Sequence, residues 1–288
     1  MLAIQPGDHI SATFASPSQF CGTTITFAEQ AIAASALVMI FPGDPDRDEL
    51  GAFQQHLSDR SPVIAAAAAG GQVQVGDSRQ VQLAPGRFDV DHLRRTYAAA
   101  TEQAVAAGFP GLWVSVDMSW AAAADPQALT SFEAETAGLF TGRELTAVCQ
   151  YDTRVFPHEQ VVAACQAHPA ALDNESPLRH QRVDDGRTLR LSGEVDLSNS
   201  AAFTALARSL RPGDTLDITE MTFLDARALA TIVRGEAEIP GLTIRAGAAQ
   251  AHLLELVRIG AASFPTAEFQ SSPGGHLPSH TARSQLTG

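Results

Sequence analysis

Residues 1–172 alternate short apolar runs with segments whose apolar positions recur at helical spacing, and that alternation constrains the fold more than any other feature. Strands are expected at 10–14, 36–41, 112–116 and 145–151, and helices at 20–34, 46–58, 126–140 and 158–167. Asp89 reads as the N-cap of a further helix reaching about 107. Residues 72–75 and 80–83 alternate polar with apolar around G-D-S-R, which suits a hairpin. Repeated strand–helix pairs imply an α/β fold with a mostly parallel sheet covered on both faces.

The chain is long enough for two cores. A polar, proline-bearing join, A-L-D-N-E-S-P-L-R-H at 171–180, separates the two expected domains (1–172 and 180–267) with a linker at 173–179. A hairpin is expected to turn at Asp185-Gly186 with 188–192 as its second arm. Helices at 200–210, 225–236 and 249–259 and strands at 215–219 and 242–246 complete the second unit. Residues 268–288, rich in Ser, Gly, Pro and Thr, are expected to be a disordered tail.

Composition removes several function classes. All 19 basic residues are arginine, so a lysine Schiff base, a G-x-x-x-x-G-K-[ST] phosphate loop and a kinase-type strand lysine are excluded. A net charge of −13 with no basic run argues against nucleic-acid binding. Cys21, Cys149 and Cys165 are odd in number and lack C-x-x-C spacing, so neither a disulfide frame nor a metal site is expected. The amino terminus has no signal-peptide pattern, and the apolar run at 31–41 is too short to cross a bilayer, so a cytoplasmic, membrane-free protein is expected. No G-x-S-x-G or H-E-x-x-H motif is present. Glu133 and Glu135, two residues apart on one helix, read as a solvated face.

Within 180–268, L-R-L-S-G-E-V-D-L at 189–197, T-L-D-I-T-E-M-T-F-L-D at 215–225, the helix A-R-A-L-A-T-I-V after it and L-L-E-L-V-R-I-G near the end resemble a STAS domain. That is the fold of anti-sigma-factor antagonists and of sulphate-transporter tails. The resemblance implies a protein-interaction module whose partner is an anti-sigma factor or another STAS-binding protein, with Asp225, Ala226 and Arg227 at the partner-binding position. In the antagonists a Ser or Thr follows the aspartate and is phosphorylated, which adds about −1.5 to −2 charges at a helix start. Ala226 removes that acceptor here. Asp225 is equally readable as a helix N-cap, Arg227 as a solvated cation, Thr222 as strand-end packing, and Ser198 and Ser200 as a cap and its neighbour.

Over residues 5–172, P-G-D-H-I at 6–10, G-L-W-V-S-V-D-M-S-W at 111–120, V-C-Q-Y-D at 148–152 and H-P at 168–169 resemble the methanogen/methylotroph sensory (MEDS) domain. The resemblance implies sensing of small molecules, hydrocarbon-derived ones among them, on a RecA/KaiC-like core without a working phosphate loop. The loop A-S-P-S-Q-F-C-G-T-T agrees, with one glycine and no lysine; Thr23 or Thr24 stands where a magnesium-binding hydroxyl would be sought. In open α/β sheets ligands bind at the strands' C-terminal ends. Asp117, Ser119, Trp120, Gln150, Tyr151 and Asp152 follow two strands and would line one pocket if those strands are neighbours. Asp8 and His9 are further ligand candidates, with a backbone-bonded structural histidine as the other reading. Cys149 is either a ligand contact or an inert apolar residue.

The expectation is therefore a non-enzymatic, two-domain regulator with no catalytic residues and no named cofactor. A small-molecule sensor would control a STAS interaction surface, with homodimerisation left open. A degenerate nucleotide-binding enzyme and a ligand-free assembly protein are the alternatives.

Overall fold

The computed structural model describes residues 3–43, 47–82 and 88–263. The expected tail at 268–288 lies outside these residues, as does Leu83. Six strands form one all-parallel sheet: β1 (His9–Phe14), β2 (Leu37–Phe41), β3 (Val73–Val75), β4 (Leu112–Asp117), β5 (Leu145–Asp152) and β6 (Ala170–Ala171), in the order β3-β2-β4-β5-β1-β6. Every residue of β5 is buried, as expected of a central parallel strand covered on both faces.

One face of this sheet packs on α1 (Pro17–Ala33), α2 (Arg47–Arg60) and α3 (Pro62–Ala69) through Phe27, Leu57 and Ile64. The other face packs on α5 (Val90–Ala106), α6 (Pro126–Glu135) and α7 (His158–Gln166), with Leu93, Leu129, Phe132 and Val161 in its core. Single 3-10 turns follow β4 (Met118–Ala121) and α6 (Thr136–Phe140). The expected hairpin at 72–83 is not formed. Instead β3 adds to the sheet edge parallel to β2, and Ser78–Gln82 is a short helix, α4, begun by Asp77, whose carboxylate accepts from the Arg79 N–H. A parallel edge strand cannot turn directly back into a hairpin arm, and the Asp starts a helix in its place.

The second sheet has the order β10-β9-β8-β7, from β7 (Arg179–Val183), β8 (Thr188–Val195), β9 (Thr215–Leu224) and β10 (Thr243–Arg245). The expected hairpin holds: β7 and β8 are antiparallel across Asp184 and Asp185, both at positive φ, and Gly186. The remaining pairs are parallel. Helices α8 (Ser200–Arg208), α9 (Ala226–Glu238) and α10 (Ala248–Ser263) supply Phe203, Ile232 and Leu254 to its core. The residue before α8 is Asn199 rather than a serine cap, and it is held by its side chain on the Glu194 carbonyl.

Strand β7, which follows the join, is tied to the first unit at three residues. The Arg179 guanidinium donates to Asp8 through Nε (2.9 Å) and Nη2 (3.2 Å). His180 Nε2 lies 3.1 Å from the Ala137 carbonyl, and the Arg182 N–H donates to the Thr141 carbonyl. Leu178 is buried in the second core, and Ala137 joins that core from the first unit. Among the described residues no helix is long and apolar enough to cross a membrane.

Candidate functional site

The alternation of β-strand side chains sends His9 of β1 and Cys149 and Tyr151 of β5 to the face covered by α5, α6 and α7. From α6 comes Glu133, which shares the inward stripe of Leu129 and Phe132 and is fully buried. His168 follows α7 and is equally buried. The solvated face expected for Glu133 is therefore wrong: four residues upstream stands Leu129, and that spacing, not the spacing to Glu135, decides which way it points.

Glu133 is the hub. Its Oε1 accepts a 2.6 Å hydrogen bond from the Tyr151 hydroxyl. Its Oε2 lies 3.4 Å from His9 Nε2 and 3.4 Å from His168 Nε2. Cys149 Sγ completes the group, 3.6 Å from His9 Nε2 and 3.9 Å from Glu133 Oε2. The His9 ring stacks on Phe140 with centroids 4.3 Å apart and lies 4.1 Å from the His168 ring. His168 Nδ1 sits 2.8 Å from the Ala164 carbonyl and so carries the proton, which leaves Nε2 an unprotonated acceptor without a hydrogen-bond partner. His9 Nδ1 also lacks a partner among the described residues.

Burial dominates the electrostatics. It holds His9 down at about 3, helped by His180, and His168 at about 4, so both imidazoles are neutral near pH 7 and neither forms an ion pair with Glu133. The same burial lifts the Glu133 carboxyl and raises the Cys149 thiol and Tyr151 phenol well above their usual values.

Beside this cluster is a mostly apolar cavity of about 30 Å³, bounded by His9, Glu133, Cys149, Trp120, Leu139 and Phe140 among others. At about 10–15 Å³ per water, that is room for a molecule of two or three heavy atoms. The Trp120 Nε1–H, buried at this wall, has no partner among the described residues.

The comparison with known families falls on this unit. The family model for the MEthanogen/methylotroph, DcmR Sensory domain (MEDS) matches residues 8–169, more than half of the chain. The chain belongs to the MEDS family. No curated protein matches it. The matched span begins at the residue before β1 and ends at the residue before β6, so the MEDS region contains all five cluster residues and the cavity.

Within the MEDS unit the expected single pocket divides in two. The condition set for it is met: β4 and β5 are neighbours, with Asp117 opposite Gln150. Pleating nevertheless separates alternate residues. Cys149, Tyr151, Trp120 and His9 belong to the cluster or its cavity. Gln150 points through the opposite face, where its Nε2 donates to Thr24 and Ser115 at 3.0 Å each. Asp117 and Asp152 stand at the strands' C-terminal rim on that second face. Asp117 Oδ1 accepts from the Ser119 N–H, and burial raises its carboxyl. Asp152 is gripped by Arg154, which lowers its carboxyl. Asp8 lies at the other end of β1, in the Arg179 pair, where it lines a separate cleft with Arg143, Arg179 and His180 rather than the cavity beside Glu133.

The loop after β1 also differs from a nucleotide cradle. Only Ala15 and Ser16 separate β1 from α1, Gly22 lies inside that helix, and Thr24 is buried in the Gln150 trio, so it offers no hydroxyl to magnesium. Sequence reasoning missed Glu133 and gave His168 no role. It also expected no metal ligands, whereas the fold gathers four side chains with metal-competent donor atoms within 4.8 Å of one another.

Proposed function

We propose that this chain is a non-enzymatic signalling regulator in which a small molecule held by the MEDS unit alters what the second unit offers to a protein partner. The MEDS family is a sensory one, which supports signalling. The observation that carries the relay is the 3-10 turn Thr136–Phe140. Thr136, Leu139 and Phe140 line the cavity, while Ala137 between them packs into the second core and accepts from His180. A ligand that displaces this turn acts on both units through one rigid segment. Its effect is a shift between two arrangements, and its size is set by the difference in ligand affinity for them.

On this reading the second unit is a STAS-type module that binds an anti-sigma factor or a similar protein at the start of α9. Asp225 caps that helix, its carboxylate accepting from the Ala228 N–H at 2.7 Å, and Ala226 and Arg227 are exposed on the first turn. Ala226 offers no hydroxyl, so control comes from the sensor rather than from phosphorylation of this turn. The protein works in the cytoplasm by binding, without turnover.

Hydrogen exchange of the full chain with and without short alcohols and aldehydes tests the relay. Changed protection at 136–141 together with 179–182 is expected. A change confined to the cavity wall, or none, would remove the coupling.

A further inference from the structure

His168 Nε2, whose ring proton sits on Nδ1, faces Glu133 Oε2 at 3.4 Å with both residues buried, and His9 Nε2 approaches the same oxygen at the same distance. These separations exceed those of good hydrogen bonds, about 2.7–3.2 Å. They match another pattern. Tetrahedral coordination at about 2.0–2.1 Å for N and O and about 2.3 Å for S places N and O ligands about 3.3–3.4 Å apart, and S about 3.6 Å from N. Of the six edges among the four donor atoms, three are 3.4, 3.4 and 3.6 Å, the Cys149–Glu133 edge is longer at 3.9 Å, and the two from His168 Nε2 to His9 Nε2 and Cys149 Sγ lie within 4.8 Å.

We propose that His9 Nε2, Glu133 Oε2, Cys149 Sγ and His168 Nε2 form a mononuclear site for a divalent transition-metal ion of the zinc class. Two imidazoles, a thiol and a carboxylate are the donor set that borderline ions such as zinc and cobalt(II) take. All four donor atoms lie within 4.8 Å of one another, so closure onto an ion needs movements of about an ångström or less at metal–ligand lengths. The surroundings are those of a ligand shell. Ala164 fixes the His168 tautomer with Nε2 free, and the Tyr151 hydroxyl holds the outer oxygen of Glu133. The ion would displace the Cys149 proton to solvent and form a metal–thiolate bond, with one flank toward the cavity that His9, Glu133 and Cys149 line.

The test uses the full chain with cobalt(II) or zinc alone. One equivalent of cobalt is expected to bind, with a thiolate-to-cobalt charge-transfer band, and zinc is expected to abolish the band by competition. Cys149→Ser should remove the band, whereas Cys165→Ser and Cys21→Ser should keep it. His168→Gln should weaken zinc binding beyond the roughly 10–100-fold typical of outer-shell changes. Circular dichroism of each variant separates lost ligands from lost fold, and the band in the unsubstituted protein needs no variant. No stoichiometric cobalt binding, a spectrum without thiolate character, or affinity unchanged in folded Cys149→Ser and His168→Gln would overturn the assignment.

Discussion

The two units of this molecule differ in what they gather inside and in what they leave exposed. The six-stranded unit buries Glu133, His9, His168 and the Gln150–Thr24–Ser115 trio beneath its helices. The four-stranded unit has an apolar core built on Leu189, Phe203, Ile218 and Leu254, keeps its buried Asp214 and Asp217 beside arginines at the margin, and carries the most exposed of the large apolar side chains. Leu197 is 61 % exposed and Phe223 50 %, both near the C-terminal ends of β8 and β9 where α9 begins. Buried polar groups are tolerated where they are satisfied or where something is held among them, and exposed apolar ones where a surface is to be covered. On the proposed reading this contrast is a division of labour, with ligand held inside the first unit and a partner met on the outside of the second.

The strongest challenge to that contrast is to uncouple the units. Gly193, the first residue of G-E-V-D, has φ +89°, and a Cβ there would lie 2.0 Å from the Pro177 carbonyl oxygen of the join. Gly193→Ala combines a left-handed alanine with a backbone clash and should cost about 3 kcal/mol or more. Urea unfolding followed by circular dichroism reads the outcome. A single transition at lower urea means that the two units unfold as one body. Two transitions, with only the later one at the original midpoint, mean that the second unit is separable and that the relay through Thr136–Phe140 is weak.

A smaller effect sharpens the picture of the first unit. Tyr151→Phe removes the 2.6 Å donor to Glu133 and leaves a buried carboxyl oxygen unpaired. The expected cost is about 1.5–3 kcal/mol, the range for hydrogen bonds to charged groups, read as a shift of the same urea midpoint. An unchanged midpoint would mean that Glu133 is held by other partners, and the inside of this unit would then be no more polar in effect than the inside of the other.

Much of this layout is legible in the sequence, and the residues that are not share a physical cause. The strands at 10–14, 112–116 and 145–151 and the cap at Asp89 are local signals, and the fold keeps them with shifts of a residue or so at their ends. The helix Pro62–Ala69 was not read, although Ser61 and Pro62 are an N-cap and a first-turn proline, because an alanine run has no periodicity. The cluster was half legible. His9, Cys149 and Tyr151 stood out as strand-end residues, but their faces depend on register. Glu133 could have been found from its place beside Phe132 and after Leu129, an apolar stripe that a glutamate enters only with partners. His168 comes to the cluster only because β1 pairs beside β5 and α7 packs across them, which no local pattern encodes.

The smallest effect tests the other side of the comparison. Phe223→Ser replaces a half-exposed ring with a hydroxyl on a strand whose inward neighbours, Met221 and Leu224, already fill the core. Exposed substitutions of this kind change stability by about 0.5 kcal/mol or less. The urea midpoint should therefore stay within that margin of the unsubstituted protein, in contrast to Tyr151→Phe, which removes only a hydroxyl. A loss above about 1 kcal/mol would mean that the Phe223 ring packs as part of the second core. Its exposure would then say nothing about a partner, and the outward apolarity of this unit would rest on Leu197 and on Leu253, Leu256 and Ile259 of α10. A neutral result leaves the ring as surface that the fold does not need, which is what a docking position at the start of α9 requires.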